Sequence, residues 1–327
     1  FNAAAGARTY DASFIDVDFI PTGDLLTMQF IFASEEYPEY ADGSFQDFVG
    51  VWVNGAQIEL GVGDGDIDPN NLNAGANGNL FIDNTNDDYN TEMDGFTVTL
   101  TLKMPVVAGE MNSIRIGIAD VSDANFDSTL LIAGNSIQTS LIALDDQVTL
   151  NPTGSKTVDV LANDSNNGSG QMYITHINGN AVVAGDIVTL SSGQTVQLNA
   201  DGTLTLTGDG EIEQTNFTYT VANGSGNTDT GFVLVDSVPC FVTGTRILTP
   251  DGEVAIETLR AGDLVIPRDR GPQPIRWIGR RRLSRTELNG ASHMYPVRIR
   301  AGCLGEDLPN KDLMVSQQHR MLVRSTI

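Results

Sequence analysis

The 327-residue chain has only two cysteines, Cys240 and Cys303, and none in its first 239 residues. A disulfide framework is therefore excluded, and two thiols do not reveal the redox compartment. No run of about 18 apolar residues occurs, which excludes a spanning helix. No segment keeps a helical period for three turns, which excludes a helical bundle. Basic residues are scarce in the front part: residues 1–239 hold 33 Asp and Glu against 4 Lys and Arg, net −29, whereas 240–327 hold 9 against 14, net +5, which together give the whole-chain −24. A field of that sign repels polyanions, so nucleic acid is not an expected partner. Secretion to the cell surface or a salty extracellular medium containing divalent cations is expected instead. Phe1 stands in a strand-like context without a methionine, a charged n-region or an apolar h-region, and an apolar run precedes Ile327 closely. The chain is accordingly expected to be a piece of a longer one.

What the sequence does hold is strand pattern between clusters of Gly, Asn, Asp and Pro. Phe14 to Ile20 alternates, Leu25 to Ala33 is a longer apolar strand, and Phe96 to Met104 and Ser113 to Ala119 continue the period of two. This predicts an all-β chain that opens with a jelly-roll-like sandwich. Within it Phe32-Ala-Ser-Glu-Glu-Tyr-Pro-Glu-Tyr40, Ser44-Phe-Gln-Asp-Phe48, Val51-Trp-Val-Asn-Gly55 and Ile118-Ala-Asp-Val-Ser-Asp-Ala-Asn-Phe-Asp-Ser128 follow in order. Over residues 1–138 these motifs resemble the choice-of-anchor L domain. That resemblance implies a secreted bacterial protein carrying a C-terminal sorting or anchoring module.

The carboxylates gathered in those motifs, Glu35, Glu36, Asp47, Asp120 and Asp127, are of the hard-oxygen type that ligates Ca²⁺. The competing reading is that they cap turns and solvate loop tips. Asp64-Gly-Asp66-Ile-Asp68 begins like an EF-hand loop, but Pro69 takes the sixth position and Gly75 the twelfth, so an acidic loop is expected.

A second unit is expected over 139–238. Val158-Asp-Val-Leu-Ala-Asn-Asp164, Val188-Thr-Leu, Thr195 to Leu198, Gly202 to Thr207 and Phe217-Thr-Tyr-Thr-Val221 predict about seven short strands, as in an immunoglobulin-like sandwich. The first and last of these strings are similar to cadherin-like and bacterial immunoglobulin-like repeats of large surface proteins. Asp159 and Asp164 fit either a strand-end cap or a Ca²⁺ junction, and His176 reads as an ordinary strand residue. One copy makes this a spacer, not an array.

The third unit, 239–327, carries the chemistry. Cys240 follows Val238-Pro239 and opens a new strand pattern. An N-to-S acyl shift needs a thiol one residue beyond the scissile carbonyl, a proton donor for the departing nitrogen and hydrogen bonds for the oxyanion. Cys240 with Thr243-Gly-Thr-Arg-Ile-Leu-Thr-Pro, Glu257-Thr-Leu-Arg-Ala-Gly-Asp-Leu-Val265 and Leu313-Met-Val-Ser-Gln-Gln-His-Arg-Met-Leu322 resemble the Hint fold of hedgehog autoprocessing domains and inteins, in its bacterial Hint-2 type. The resemblance implies a partial Hint β-fold in which Cys240 attacks the Pro239 carbonyl. It further implies that His319 assists breakdown of the amide and that Ser316 stands where the family has threonine. Serine keeps the hydroxyl but loses the methyl that fixes its rotamer, and Pro239 stiffens the acyl side. The later blocks with their cyclising asparagine do not follow, so cleavage without splicing is the expectation.

The expected substrate is the chain's own backbone, with no cofactor required for cleavage. A cell-surface or extracellular-matrix ligand is the other partner class, and Ca²⁺ the other ion. The alternative is a calcium-binding adhesion protein with an inert Hint tail. Cys303 is expected to be a small buried residue. His293 reads as a strand start, Arg276, Arg280-Arg-Arg282 and Arg285 beside Trp277 as a solvated β-edge, and Asp263 as a turn residue or catalytic support.

Overall fold

The computed structural model describes residues 1–41, 43, 46–211, 213–237, 241–267, 270–276, 278, 296–304 and 308–315. The chain divides into two compact units, 1–150 with 154–237 and 151–153 with 238–327.

The larger unit holds two sandwiches. In the first, β1 (Thr9–Phe19), β2 (Leu25–Ser34), β3 (Phe48–Val53), β4 (Ala56–Ile58), β5 (Phe81–Asp83), β6 (Gly95–Thr97), β7 (Leu100–Pro105), β8 (Asn112–Val121) and β9 (Ser128–Ile132) form two sheets. One runs β1-β8-β3-β4; the other runs β5-β6-β2-β7, with β9 also on β2. Period-two patterning turns Leu26, Met28, Phe30 and Phe32 of β2 inward against Leu100, Leu102, Met104, Ile114 and Ile116. The expected single strand Phe96 to Met104 is two, because Val98 and Thr99 break the ladder between β6 and β7.

The edge strand β1 departs from its alternating sequence. Phe14 and Ile15 are 55% and 57% exposed, since β1 is bonded only to β8 at the rim. Phe14 is covered in part by the Phe1 ring, 6.3 Å away, and by the Arg115 guanidinium, which also grips Asp16 through two 2.7 Å bonds.

The second sandwich comprises β10 (Leu141–Ile142), β11 (Asp146–Leu150), β12 (Ser155–Val158), β13 (Ser165–Asn166), β14 (Tyr173–Ile177), β15 (Asn180–Ala181), β16 (Ile187–Thr189), β17 (Thr195–Leu198), β18 (Leu204–Thr207), β19 (Glu213–Ala222) and β20 (Thr228–Ser237). Its sheets run β11-β20-β19-β14-β15 and β12-β18-β17-β16, and β11 joins β20 in parallel. The run 159–164 is a turn instead of the expected strand. Asp159 accepts the Leu161 N–H on its side chain and the Ala162 N–H on its carbonyl, an Asx arrangement that competes with the ladder.

The two cores meet through β20. Phe232 is buried in the first sandwich's core, whereas its neighbours Val233 and Val235 belong to the second. Removing its ring should cost about 3–5 kcal/mol. Calorimetry of Phe232→Ala is expected to show both sandwiches melting together at lower temperature. An unshifted second-sandwich transition would show the cores to be independent.

Candidate functional site

In the smaller unit the described residues of the third motif region form short pairs: β21 (Arg246–Thr249) with β22 (Gly252–Ala255), β23 (Leu264–Val265) with β24 (Gln273–Pro274), and β25 (Val297–Ile299) with β26 (Leu313–Val315). Phe241 bridges Val315 antiparallel, and Val315 is buried. Thr245 donates its hydroxyl to Val242 O at 2.8 Å, and Glu257 accepts the Gly244 N–H at 2.8 Å. These bonds fix the turn after the first motif. Asp263 accepts the Arg260 N–H, a turn role. Pro239, Cys240, Ser316 and His319 lie outside the described residues, as do Trp277, Arg280 to Arg282, Arg285 and His293. Cys303 is exposed, contrary to expectation: it sits in a tight turn, donating its N–H to Arg300 O, and faces no core.

The acidic motifs of the first sandwich converge at the far ends of β2 and β8. Glu36 and Asp47 are each only 1% exposed. The Asp47 N–H donates to Glu36 Oε2 at 2.8 Å, yet neither Asp47 carboxylate oxygen has a hydrogen bond. Burial pushes Glu36 up to about 8, with the charges of Asp47, Asp123 and Asp120 adding to it. Burial likewise pushes Asp47 up to about 7, with Asp120, Asp123 and Asp127 contributing. The nearby Ser128 hydroxyl pulls the other way without reaching hydrogen-bond geometry. Asp120 is raised by burial and then by Asp11, Asp127 and Asp123. Glu35 does something else. Its Oε2 accepts the Asp127 N–H at 3.1 Å while its own N–H donates to Asp127 O, so this pair clasps the loop to β2. Asp123 and Ser128 are not among the sequence-derived candidates, although both stand inside the last motif.

The acidic loop 64–68 caps itself. Asp68 accepts the Asn71 N–H and Asp64 the Asp66 N–H. His176 lies in β14 with Nδ1 3.0 Å from Thr175 Oγ1. Among the described residues, no group of three or more His, Cys, Asp or Glu side chains is arranged to hold a metal ion.

A second acidic group lies where the sandwiches join. Asp229 is fully buried, accepting the Ala143 N–H at 2.8 Å and the Thr101 hydroxyl at 3.3 Å. Burial pushes it up to about 7. Asp146, raised to about 7, and Asp164, raised to about 6, are shifted chiefly by burial as well. Asp164 is bonded by the Leu144 N–H and by the Tyr219 hydroxyl, so it works as a cap. Lys103 meets Asp145 at 2.6 Å. No sequence pattern marks Asp229, which sits in a strand without motif character.

Three family models match the chain: the choice-of-anchor L domain at residues 1–138, the bacterial Ig domain at 138–236 and the Hint domain at 239–327. The chain joins these three domains in that order. Its anchor and Ig domains point to the cell surface or extracellular space, and no described helix is long and apolar enough to cross a membrane. No curated protein matches it. Among solved structures, the N-terminal Ig1-2 module of the Drosophila receptor protein tyrosine phosphatase DLAR is 10% identical, over 70% of this chain and 100% of that one, at a TM-score of 0.22. Extracellular domains 3-5 of Drosophila OTK are also 10% identical, over 83% and 90%, at 0.23.

Buried carboxyls with raised values bind protons more tightly folded than unfolded. Their destabilising charge is absent below about pH 4 and fully present above about pH 8. The melting temperature in metal-free buffer should therefore rise as pH falls from about 8 toward about 5. Asp229→Asn keeps an acceptor for Ala143 and removes one buried charge. It is expected to stabilise by about 1–2 kcal/mol at about pH 8 and to flatten that pH slope. A pH scan of melting for both proteins is the check.

Proposed function

We propose that this is a secreted cell-surface protein whose Hint domain cuts its own backbone between Pro239 and Cys240. The reading rests on the three ordered Hint motifs and on the bridge between Phe241 and Val315, the chain neighbours of Cys240 and Ser316. An antiparallel bridge at that point joins the two motifs that the chemistry must combine.

In the proposed step the Cys240 thiolate adds to the Pro239 carbonyl. The tetrahedral intermediate collapses as the Cys240 nitrogen takes a proton, for which His319 is the donor. The C–N bond breaks, leaving a thioester on sulfur and a free amine on the same residue. The Ser316 hydroxyl polarises the scissile peptide. Water or an outside thiol or amine then takes the acyl group, and residues 1–239 are released from residue 240 onward. The cut would separate the two acidic sandwiches, net −29, from the basic remainder, net +5.

Incubation of the precursor with dithiothreitol is expected to give two pieces, the first ending at Pro239 by mass spectrometry. Cys240→Ala should stay whole, and His319→Ala should slow the reaction by roughly 10²–10⁴-fold, the range of a positioned acid or base. Equal persistence of wild type and Cys240→Ala would leave a passive extracellular scaffold with an inert tail.

A further inference from the structure

Asp47 presents a problem that the acidic surface around it does not explain. Its side chain is 1% exposed and both carboxylate oxygens lack any hydrogen-bond partner. Ser128 Oγ, at the start of β9, is likewise buried without a partner, although it stands close enough to Asp47 to act on its charge. Glu36, equally buried, lies against Asp47 through the Asp47 N–H. The ion pairs of this sandwich among the described residues are Lys103 with Asp145 and Arg115 with Asp16, and neither answers these carboxylates. Buried charges persist only when paired, hydrogen-bonded or bound to a metal. A proton on Asp47 would cancel its charge but would leave one oxygen still unmatched. A cation satisfies both oxygens at once.

We propose that Asp47 and Glu36 hold one Ca²⁺ at this end of the anchor domain, with Ser128 Oγ as a third protein ligand. Two carboxylates balance a divalent charge. The remaining ligands are backbone carbonyls and water, which Ca²⁺ accepts in its sixfold to eightfold shell. The donor set is all hard oxygen, which disfavours zinc and copper. A hydroxyl among irregular loop oxygens suits Ca²⁺ better than the strict octahedron of Mg²⁺. Asp120, Asp123 and Asp127 act at longer range, raising the local cation concentration. Glu35, occupied in clasping Asp127, is left out of the ligand set. An ion there would tie the end of β2, the loop before β3 and the start of β9 to one point. The inference goes beyond self-cleavage and does not depend on it.

The test is calorimetric titration of the chelator-stripped full chain with CaCl2, beside Asp47→Asn, Ser128→Ala and a surface control, Asp18→Asn. Wild type and Asp18→Asn should show one strong site per chain above a weak surface background. Asp47→Asn should lose that site, and Ser128→Ala should weaken it by at least the roughly tenfold that even an outer-shell change costs. In chelator Asp47→Asn should melt no lower than wild type, because it removes an unpaired buried charge. Saturating CaCl2 should reverse that order. Equal titration of wild type and Asp47→Asn overturns the site, and MgCl2 binding as tight as CaCl2 overturns the choice of ion. Should Asp47→Asn fail to fold, unchanged affinity in Ser128→Ala overturns it as well.

Discussion

One fully buried carboxylate, Asp229, and one lysine, Lys103, mark the seam that joins the two N-terminal sandwiches. Lys103 is one of only four cations in the first 239 residues, and it is spent on Asp145 in the segment that enters the second sandwich. Around it Gln29 reaches Thr228 and Thr230, Thr101 reaches Asp229, and the Phe232 ring crosses into the first core. At the other end of the seam Asn79 donates to Asn216 O and accepts from Ser191, while Asn178 donates to Asn79 O. Such a polar interface fixes register, since each group satisfied across it would be orphaned by a slip. The apolar Phe232 supplies burial, and the hydrogen bonds choose which surfaces meet.

This seam also shows where sequence reasoning ends. The strands β2 and β8 are legible because one face of each is core and the pattern alternates or runs apolar. The turn at 159–164 is not, because Val-Leu-Ala between Asp and Asn reads as a strand until the Asx bond to Leu161 is seen. The alternating β1 keeps its strand identity but not its burial, since pattern cannot tell a rim from a centre. At the acidic site Glu36 and Asp47 stand out by motif, yet their burial and the unpartnered oxygens of Asp47 come from tertiary packing that no local pattern encodes. Asp229 carries no local signal at all: what makes it unusual is a neighbouring sandwich 128 residues away at Thr101. Cys303 departs from expectation for a simpler reason, as a small apolar residue in a Gly-rich turn need not face inward. The Hint domain is legible from its ordered motifs alone.

Charge and architecture are arranged in parallel along the chain. The two sandwiches form one acidic body with buried carboxyls at its seam and at one tip, and the basic Hint segment follows the last strand directly in sequence. Cutting after Pro239 would therefore leave β20 whole, with the anchor and Ig domains still joined through Phe232.

The parallel pairing of β11 with β20 has a mechanical meaning. The chain enters the five-stranded sheet of the second sandwich along β11 and leaves it along β20, with Asp146 opposite Val233 and Leu150 opposite Ser237. A pull on the two ends of that sandwich drives these neighbours past each other, so the rungs of the ladder are strained side by side in shear and yield together instead of unzipping singly. A body tethered at one end and tugged by flow at the other would load that short ladder in shear.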